Sequence, residues 1–204
     1  MLFRSLPGNR SDYMWYGGNN SPNGTKPVGG KLPNGFGLYD MHGNVWELCE
    51  DWYHLTYTNA PADGSAWVVP TGPGRVRRGC DWHSGACGCR SAFRDSYSYS
   101  YPSDRSTELG FRLAATQPLV EMEMVSIAAG GFRMGDPWTE GFDNEIPVHD
   151  VVLDAYQIGT YEVTNAQVAE VFQWAYGHGL IDTVTEAAVR SEERRVGKEC
   201  RSRW

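Results

Sequence analysis

Fourteen consecutive residues, Asn34-Gly35-Phe36-Gly37-Leu38-Tyr39-Asp40-Met41-His42-Gly43-Asn44-Val45-Trp46-Glu47, constrain this chain more than any other stretch. They hold three aromatics, three glycines and two spaced carboxylates. No generic helix or strand has use for that mixture. The glycines permit φ > 0 and close approach of main chain. Asp40 and Glu47 offer hard oxygen donors that the carbonyls of Gly43 and Val45 can supplement, which is how a loop holds calcium. The plainer reading is that Glu47 only accepts hydrogen bonds from loop amides, since a buried carboxylate must find partners of some kind.

Elsewhere the periodicity is local and short. Val125 and Ile127 alternate with smaller residues, Gly130-Gly131 offers a turn, and Phe132 with Met134 resumes the alternation, which predicts a hairpin or bent strand pair over 124–135. Two further strands are expected at 148–153 and 156–162, around Asp154-Ala155. Thr164 followed by Gln167 forms a capping box, and Val168, Val171, Phe172 and Ala175 then recur at helical spacing until Gly177 and Gly179. Phe111 and Leu113 read as a short strand. With 24 glycines and 13% aromatic residues among 204, the chain suits an α+β body that is loop-rich with little regular structure.

Charge is distributed unevenly. Residues 1–119 carry 11 basic against 10 acidic side chains, residues 120–189 carry 1 against 12, and residues 190–204 carry 6 against 3. The acidic middle block repels phosphate, so no nucleic acid partner is expected. No apolar run reaches the length of a membrane span and no charged-then-apolar leader opens the chain. Residues 190–204 lack apolar periodicity and break from the preceding composition, which marks them as a non-native tail rather than a functional basic segment.

The motif at 34–47 resembles the sulfatase-modifying factor family, which includes the formylglycine-generating enzyme. In the family's order there follow Glu50-Asp51-Trp52-Tyr53, Arg75-Val76-Arg77-Arg78-Gly79, Cys89-Arg90-Ser91-Ala92-Phe93-Arg94 and Leu109-Gly110-Phe111-Arg112-Leu113. These resemble the C-terminal portion of one such domain over 1–115. A second region, 120–184, is similar to the family's opening portion. It carries Met124-Val125-Ser126-Ile127, Gly130-Gly131-Phe132-Arg133-Met134-Gly135, Glu145-Ile146-Pro147-Val148-His149 and Ile158 through Gln167. The order is back to front. Either the end of one tandem copy precedes the start of the next, or a single domain is completed in permuted order, the first and last strands pairing antiparallel across the short connection. The implied fold is C-type-lectin-like.

The resemblance also implies site residues. Asp40, Gly43, Val45 and Glu47 match the family's calcium loop, making calcium the expected cofactor. Copper(I) is expected only if the chain is an active formylglycine-generating oxidase acting on a Cys-x-Pro-x-Arg peptide. The family's copper-binding cysteine pair falls at positions 84 and 89, where this chain has Ser84 and Cys89. A hydroxyl does not replace a thiolate toward a soft ion. Cys87 with Cys89 offers a rearranged Cys-x-Cys site, so both stand as candidate catalytic residues beside the reading of Cys89 as a small buried hydrophobe. Cys49 and Cys80 read as core residues or as a pair with each other.

His42, His54, His83, His149 and His178 show no spacing that builds a metal triad. Arg90 and Arg94 are expected to hold carboxylates such as Asp51 or Glu108. Tyr97, Tyr99 and Tyr101 offer a surface for a protein or peptide ligand. Trp46, Trp52 and Trp82 read as core. A calcium-stabilised structural or binding module of a larger protein is the first functional reading and the copper oxidase the second. The sequence does not give the compartment, and an extracytoplasmic parent protein is compatible with the resemblance.

Overall fold

The structure is a computed structural model that describes residues 9–96, 106–115, 122–138 and 140–177. Described residues up to Glu162 form one compact unit and those from Val163 a second. The expected α+β character holds: short sheets, little helix and long ordered connections. Tyr97, Tyr99, Tyr101, His178 and the 190–204 tail lie outside the described residues.

The first sheet is built on β1 (Trp46–Trp52). It pairs antiparallel with β2 (Arg75–Arg78), Glu47 opposite Arg78 and Leu48 opposite Arg77, with an irregularity before Trp52 meets Arg75. On its other edge it runs parallel to β3 (Leu109–Gly110). Gly110 is required there, because a Cβ would come within 2.7 Å of Val45 Cγ2. Val76 faces inward while the Arg75 and Arg77 guanidiniums lie over the rings of Trp52 and Trp46, at 4.0 and 4.6 Å from their centroids. Such cation–π contacts let charged heads cover aromatic faces without full desolvation. Under this sheet sits a small core of Met14, Trp46, Cys80 and Cys89, flanked by Tyr16, Ala86, Phe93 and Leu109.

A second sheet places β8 (Tyr156–Gly159) between β4 (Ala114–Ala115) and β5 (Met124–Ile127), antiparallel to both. A third pairs β6 (Gly130–Met134) with β7 (His149–Leu153). Three expectations are corrected here. Of the two readings of 124–135 the hairpin fails and the bent strand pair holds, because the chain bends at Ala128-Ala129 and sends β5 and β6 into different sheets. Phe111 to Leu113 are not a strand; they link β3 to β4. The strands on either side of the short connection do not pair with each other, because β8 lies between them.

The second unit contains α1 (Asn165–Gly177). Its cap is the expected one: Thr164 N–H donates to Gln167 Oε1 at 2.9 Å and Gln167 N–H to Thr164 Oγ1 at 3.3 Å.

Residues 122–162 are held to residues 9–115 by backbone and by arginine. Tyr39 N–H donates to Thr160 O, Tyr57 N–H to Ile146 O, Val152 N–H to Ala62 O and Gly159 N–H to Leu113 O. The Arg90 guanidinium forks onto Glu145, Nη1 to Oε2 at 2.8 Å and Nη2 to Oε1 at 2.5 Å, with Asp136 Oδ2 at 3.6 Å. Glu145 is 0% exposed. Arg94 Nε donates to Asn144 O at 2.6 Å. The expected partners Asp51 and Glu108 are therefore replaced by groups from the later segment, which an order-based reading of one half cannot supply.

Removing one partner of a buried pair strands the other. Arg90→Ala is expected to cost about 2–4 kcal/mol, less than a fully enclosed pair because Arg90 keeps some water contact. The exposed Glu50→Gln should stay within about 0.5 kcal/mol. Urea unfolding of the two variants beside the parent chain checks this.

Candidate functional site

The loop at 34–47 is shaped by local hydrogen bonds and left-handed residues. Asn34 Oδ1 accepts from the N–H groups of Phe36 and Leu38 at 2.9 and 3.1 Å, closing an Asx turn. Asp40 (φ 53°), Gly43 (φ 86°) and Asn44 (φ 65°) then all adopt positive φ. Gly43 lies so near the Trp15 backbone that a Cβ there would collide with it. Asn44 N–H donates to Trp15 O at 2.9 Å and Gly43 N–H to Gly79 O at 2.8 Å. The loop is thus locked against two other segments, which turns Asp40 and Asn44 inward.

Asp40 is 2% exposed. Its Oδ2 accepts from Gly29 N–H at 2.7 Å, while its Oδ1 is buried without a hydrogen-bond partner. Glu47 is gripped by Arg112, Nη2 to Oε1 at 2.7 Å and Nε to both oxygens at 3.2 Å. A third carboxylate joins them. Glu162, 3% exposed, accepts from Asn44 Nδ2 through Oε2 at 2.7 Å, and its Oε1 is buried without a partner. Burial raises Asp40 above the ordinary carboxylate range, only partly offset by the Gly29 N–H and Arg112. Burial, reinforced by the charges of Glu47 and Asp40, pushes Glu162 up to about 9. Three carboxylates therefore face one guanidinium.

The four residues expected at the calcium loop stand together in this loop, Asp40 and Glu47 close enough to act on each other's charge. Among the described residues, no three His, Cys, Asp or Glu side chains are arranged to hold a metal by themselves. Main-chain oxygen would have to complete any shell. Sequence reasoning missed Arg112 and Glu162. The available signal was a lone carboxylate in the otherwise uncharged run from Tyr156 to Gln167, where a strand gives way to a helix cap.

The cysteines differ from expectation. Cys80 and Cys89 form a disulfide in the core, so Cys80 does not pair with Cys49. Cys89 is accordingly no free thiolate. Cys49 is free, and burial pushes its thiol up to about 11, away from nucleophilic character. Cys87 is free and exposed and does not bond to Cys89. At position 84 the serine backbone is in use, its N–H donating to Asp81 Oδ1 at 2.6 Å and its carbonyl accepting from Gly17 N–H at 3.0 Å. The described histidines are scattered. His42 Nδ1 bonds Cys89 O at 2.7 Å, and burial lowers its imidazole to about 4. Trp46 is buried as expected, whereas Trp52 and Trp82 are half-buried.

The sequence profile of the sulfatase-modifying factor enzyme 1-like domain matches residues 7–117 and, separately, 115–203. This chain belongs to the sulfatase-modifying factor family. Over 100 residues it is 36% identical to the formylglycine-generating enzyme of Thermomonospora curvata, covering 45% of this chain and 31% of that one. It is 39% identical over 99 residues to the enzyme of the same name from Streptomyces coelicolor, covering 44% and 29%. PvdO from Pseudomonas aeruginosa is a solved structure similar to it, with 41% identity over 50% of this chain and 38% of that one, at a TM-score of 0.45. The chain spans about a third of the length of these two curated relatives. Family membership accounts for the co-occurrence of the 34–47 motif with the Arg90 and Arg112 segments, whose side chains meet the later part of the chain.

Two of the strongly shifted groups, Glu162 and His42, give a pH dependence of definite sign below pH 9. Glu162 rises from 4.5 to about 9, so the metal-free native state keeps a proton that the unfolded chain has released, and stability falls as pH rises through that window. His42 drops from 6.5 to about 4, so its contribution is lost as pH falls through that window. Below 6.5 the two oppose each other, and from 6.5 to 9 the Glu162 slope runs without His42 against it. In chelator-treated buffer the parent chain should lose stability from pH 6.5 to 9, by up to about 1.4 kcal/mol per pH unit. Glu162→Gln should flatten that limb, as read from urea midpoints.

Proposed function

We propose that this chain is a sulfatase-modifying-factor-family module, stabilised by calcium, that serves a structural or binding role within a larger protein. One observation carries the reading: Asp40 and Glu162 each bury a carboxylate oxygen with no hydrogen-bond partner, beside a Glu47 whose ion pair among the described residues is with Arg112. Uncompensated buried anions are costly unless a cation or proton meets them. The donor set is all oxygen and hard, which suits calcium rather than a thiophilic metal. Asp40 and Glu47 would hold the ion through their side chains and Gly43 and Val45 through their carbonyls. Arg112 does not exhaust the lone pairs of Glu47, because a carboxylate offers about four acceptor directions. Calcium, when bound, supplies the missing positive charge and ties the loop to β1.

The second reading is the copper-dependent oxidase, favoured by the names of the curated relatives. It requires free thiolates where this chain has Ser84 and a Cys89 bonded to Cys80. A common fold does not carry the chemistry with it. The fold itself we read as C-type-lectin-like, with residues 122–162 standing in for the family's opening strands in permuted order. Their membership of one unit with residues 9–115 supports this. A protein or peptide is the natural ligand class for such a module. Among the described residues no helix is long and apolar enough to cross a membrane.

Calcium at about 100 times its Kd should add about 2.7 kcal/mol to the stability of the parent chain. The gain should vanish in Asp40→Asn, and identical melts with calcium and with chelator would defeat the assignment. Incubation with copper(I), oxygen and a Cys-x-Pro-x-Arg peptide should yield no more aldehyde, by mass spectrometry, than a Cys89→Ala control. Turnover above that control would restore the oxidase.

A further inference from the structure

A cavity of about 320 Å³ lies within the first unit, between residues 50–94 and residues 132–153, away from the acidic loop. Two arginines line it. Arg94 is 1% exposed; its Nε is spent on Asn144 O, its guanidinium lies 4.2 Å from the Tyr57 ring centroid, and its Nη2 is buried without a partner. Arg78 donates from Nη2 to Tyr57 Oη at 2.5 Å and from Nη1 to the carbonyls of Ser91 and Phe93. Neither forms an ion pair with a carboxylate among the described residues.

The nearby acids do not cancel them: Glu50, also in the lining, is exposed and pairs with neither arginine among the described residues. Asp51 lines the same cavity, but its Oδ1 accepts from Trp67 N–H at 3.1 Å and it acts on both arginines only as the weakest of their named influences. One more donor faces this space: Tyr57 accepts from Arg78 and has its own hydroxyl proton to give. His149, whose ring lies 4.8 Å from that of Tyr57, turns Nδ1 to Pro147 O and adds ring surface to the wall. Arginine stays charged in protein interiors, so burying it unpaired is expensive unless an anion completes the site. The rest of the wall is mixed, with Glu50 and Ser65 beside an apolar part that holds Trp52, Phe132 and Met134.

We propose that this cavity is a binding site for a small apolar-bodied carboxylate, its carboxyl group held by Arg94 and Arg78 with Tyr57 and its hydrocarbon against Trp52, Phe132 and Met134. The planar guanidinium fork matches a carboxylate in two hydrogen bonds, which inorganic anions share, whereas the apolar wall adds a preference they cannot satisfy. The volume falls at the lower end of small-molecule sites, enough for an acid of phenylacetate size. None of these residues belongs to the Asp40–Glu162 cluster, so the site stands or falls apart from the calcium reading.

The test is a fluorine NMR titration of the whole chain with 4-fluorophenylacetate, with its uncharged amide and with sodium sulfate as competitor. The acid should bind saturably and about tenfold or more tightly than the amide, the loss expected when a charge-assisted bond is removed. Sulfate should compete weakly. Arg94→Met should abolish binding. Because that variant also removes a buried charge on which local packing depends, a second variant separates folding from binding: Ala66→Phe, which fills the cavity from its lining and leaves both arginines, should abolish binding with the parent melting temperature kept. Equal affinity for acid and amide, sulfate competing as well as the acid, no saturable binding, or undiminished binding by folded Ala66→Phe would each overturn the proposal.

Discussion

The Arg112 guanidinium is the joint on which the first unit hangs. With a side chain 2% exposed, it donates to Glu47 on β1, to Tyr39 O in the glycine-rich loop, and to the carbonyls of Gly159 and Thr160 at the end of β8. Five planar donors on one delocalised cation can satisfy acceptors from three directions, which an ammonium on a flexible stem does less well. Two sheets and the candidate site therefore share one fixed point. The same side chain sets the electrostatics of the acidic loop, because it is the cation nearest to three carboxylates and balances only one of them.

How much of this was legible beforehand depends on range. The Thr164 cap, the β7 alternation with Val151 inside and Val152 outside, and the bend after Asp154 are written in neighbouring residues, and local rules recover them. The pairing of β4 and β5 on opposite edges of β8 is not local. Four alternating residues at 124–127 specify a strand but not its partner, and Gly130-Gly131 looks like a turn whether or not the chain reverses there. Arg90 and Arg94 were recognisable as core guanidiniums from their spacing. Their acceptors lie fifty and more residues onward, and no pattern within one half names them.

The site divides in the same way. The 34–47 motif marks Asp40 and Glu47 because glycines and aromatics crowd round them, whereas Glu162 is one acid in an unremarkable strand end. Its importance comes from Asn44 reaching it across 118 positions. The disulfide is a similar case. Cys80 lies at positive φ directly after Gly79, a backbone geometry that swings its sulfur toward Cys89, and residue type alone does not disclose this. The cysteine that a family comparison would nominate for chemistry is thereby spent on holding a small core together.

The boundary between the two family matches, near residue 115, falls inside the first unit rather than between the units. A protein trimmed for expression at that seam would keep Arg90, Arg94 and Arg112 but lose Glu145, Asn144 and the Gly159 and Thr160 carbonyls that receive them. Arg90 would lose its carboxylate, Arg94 its carbonyl and Arg112 half of its acceptors in a half-built interior, and insolubility would be the natural result. For this chain, homology draws the cut line through the middle of a folding unit.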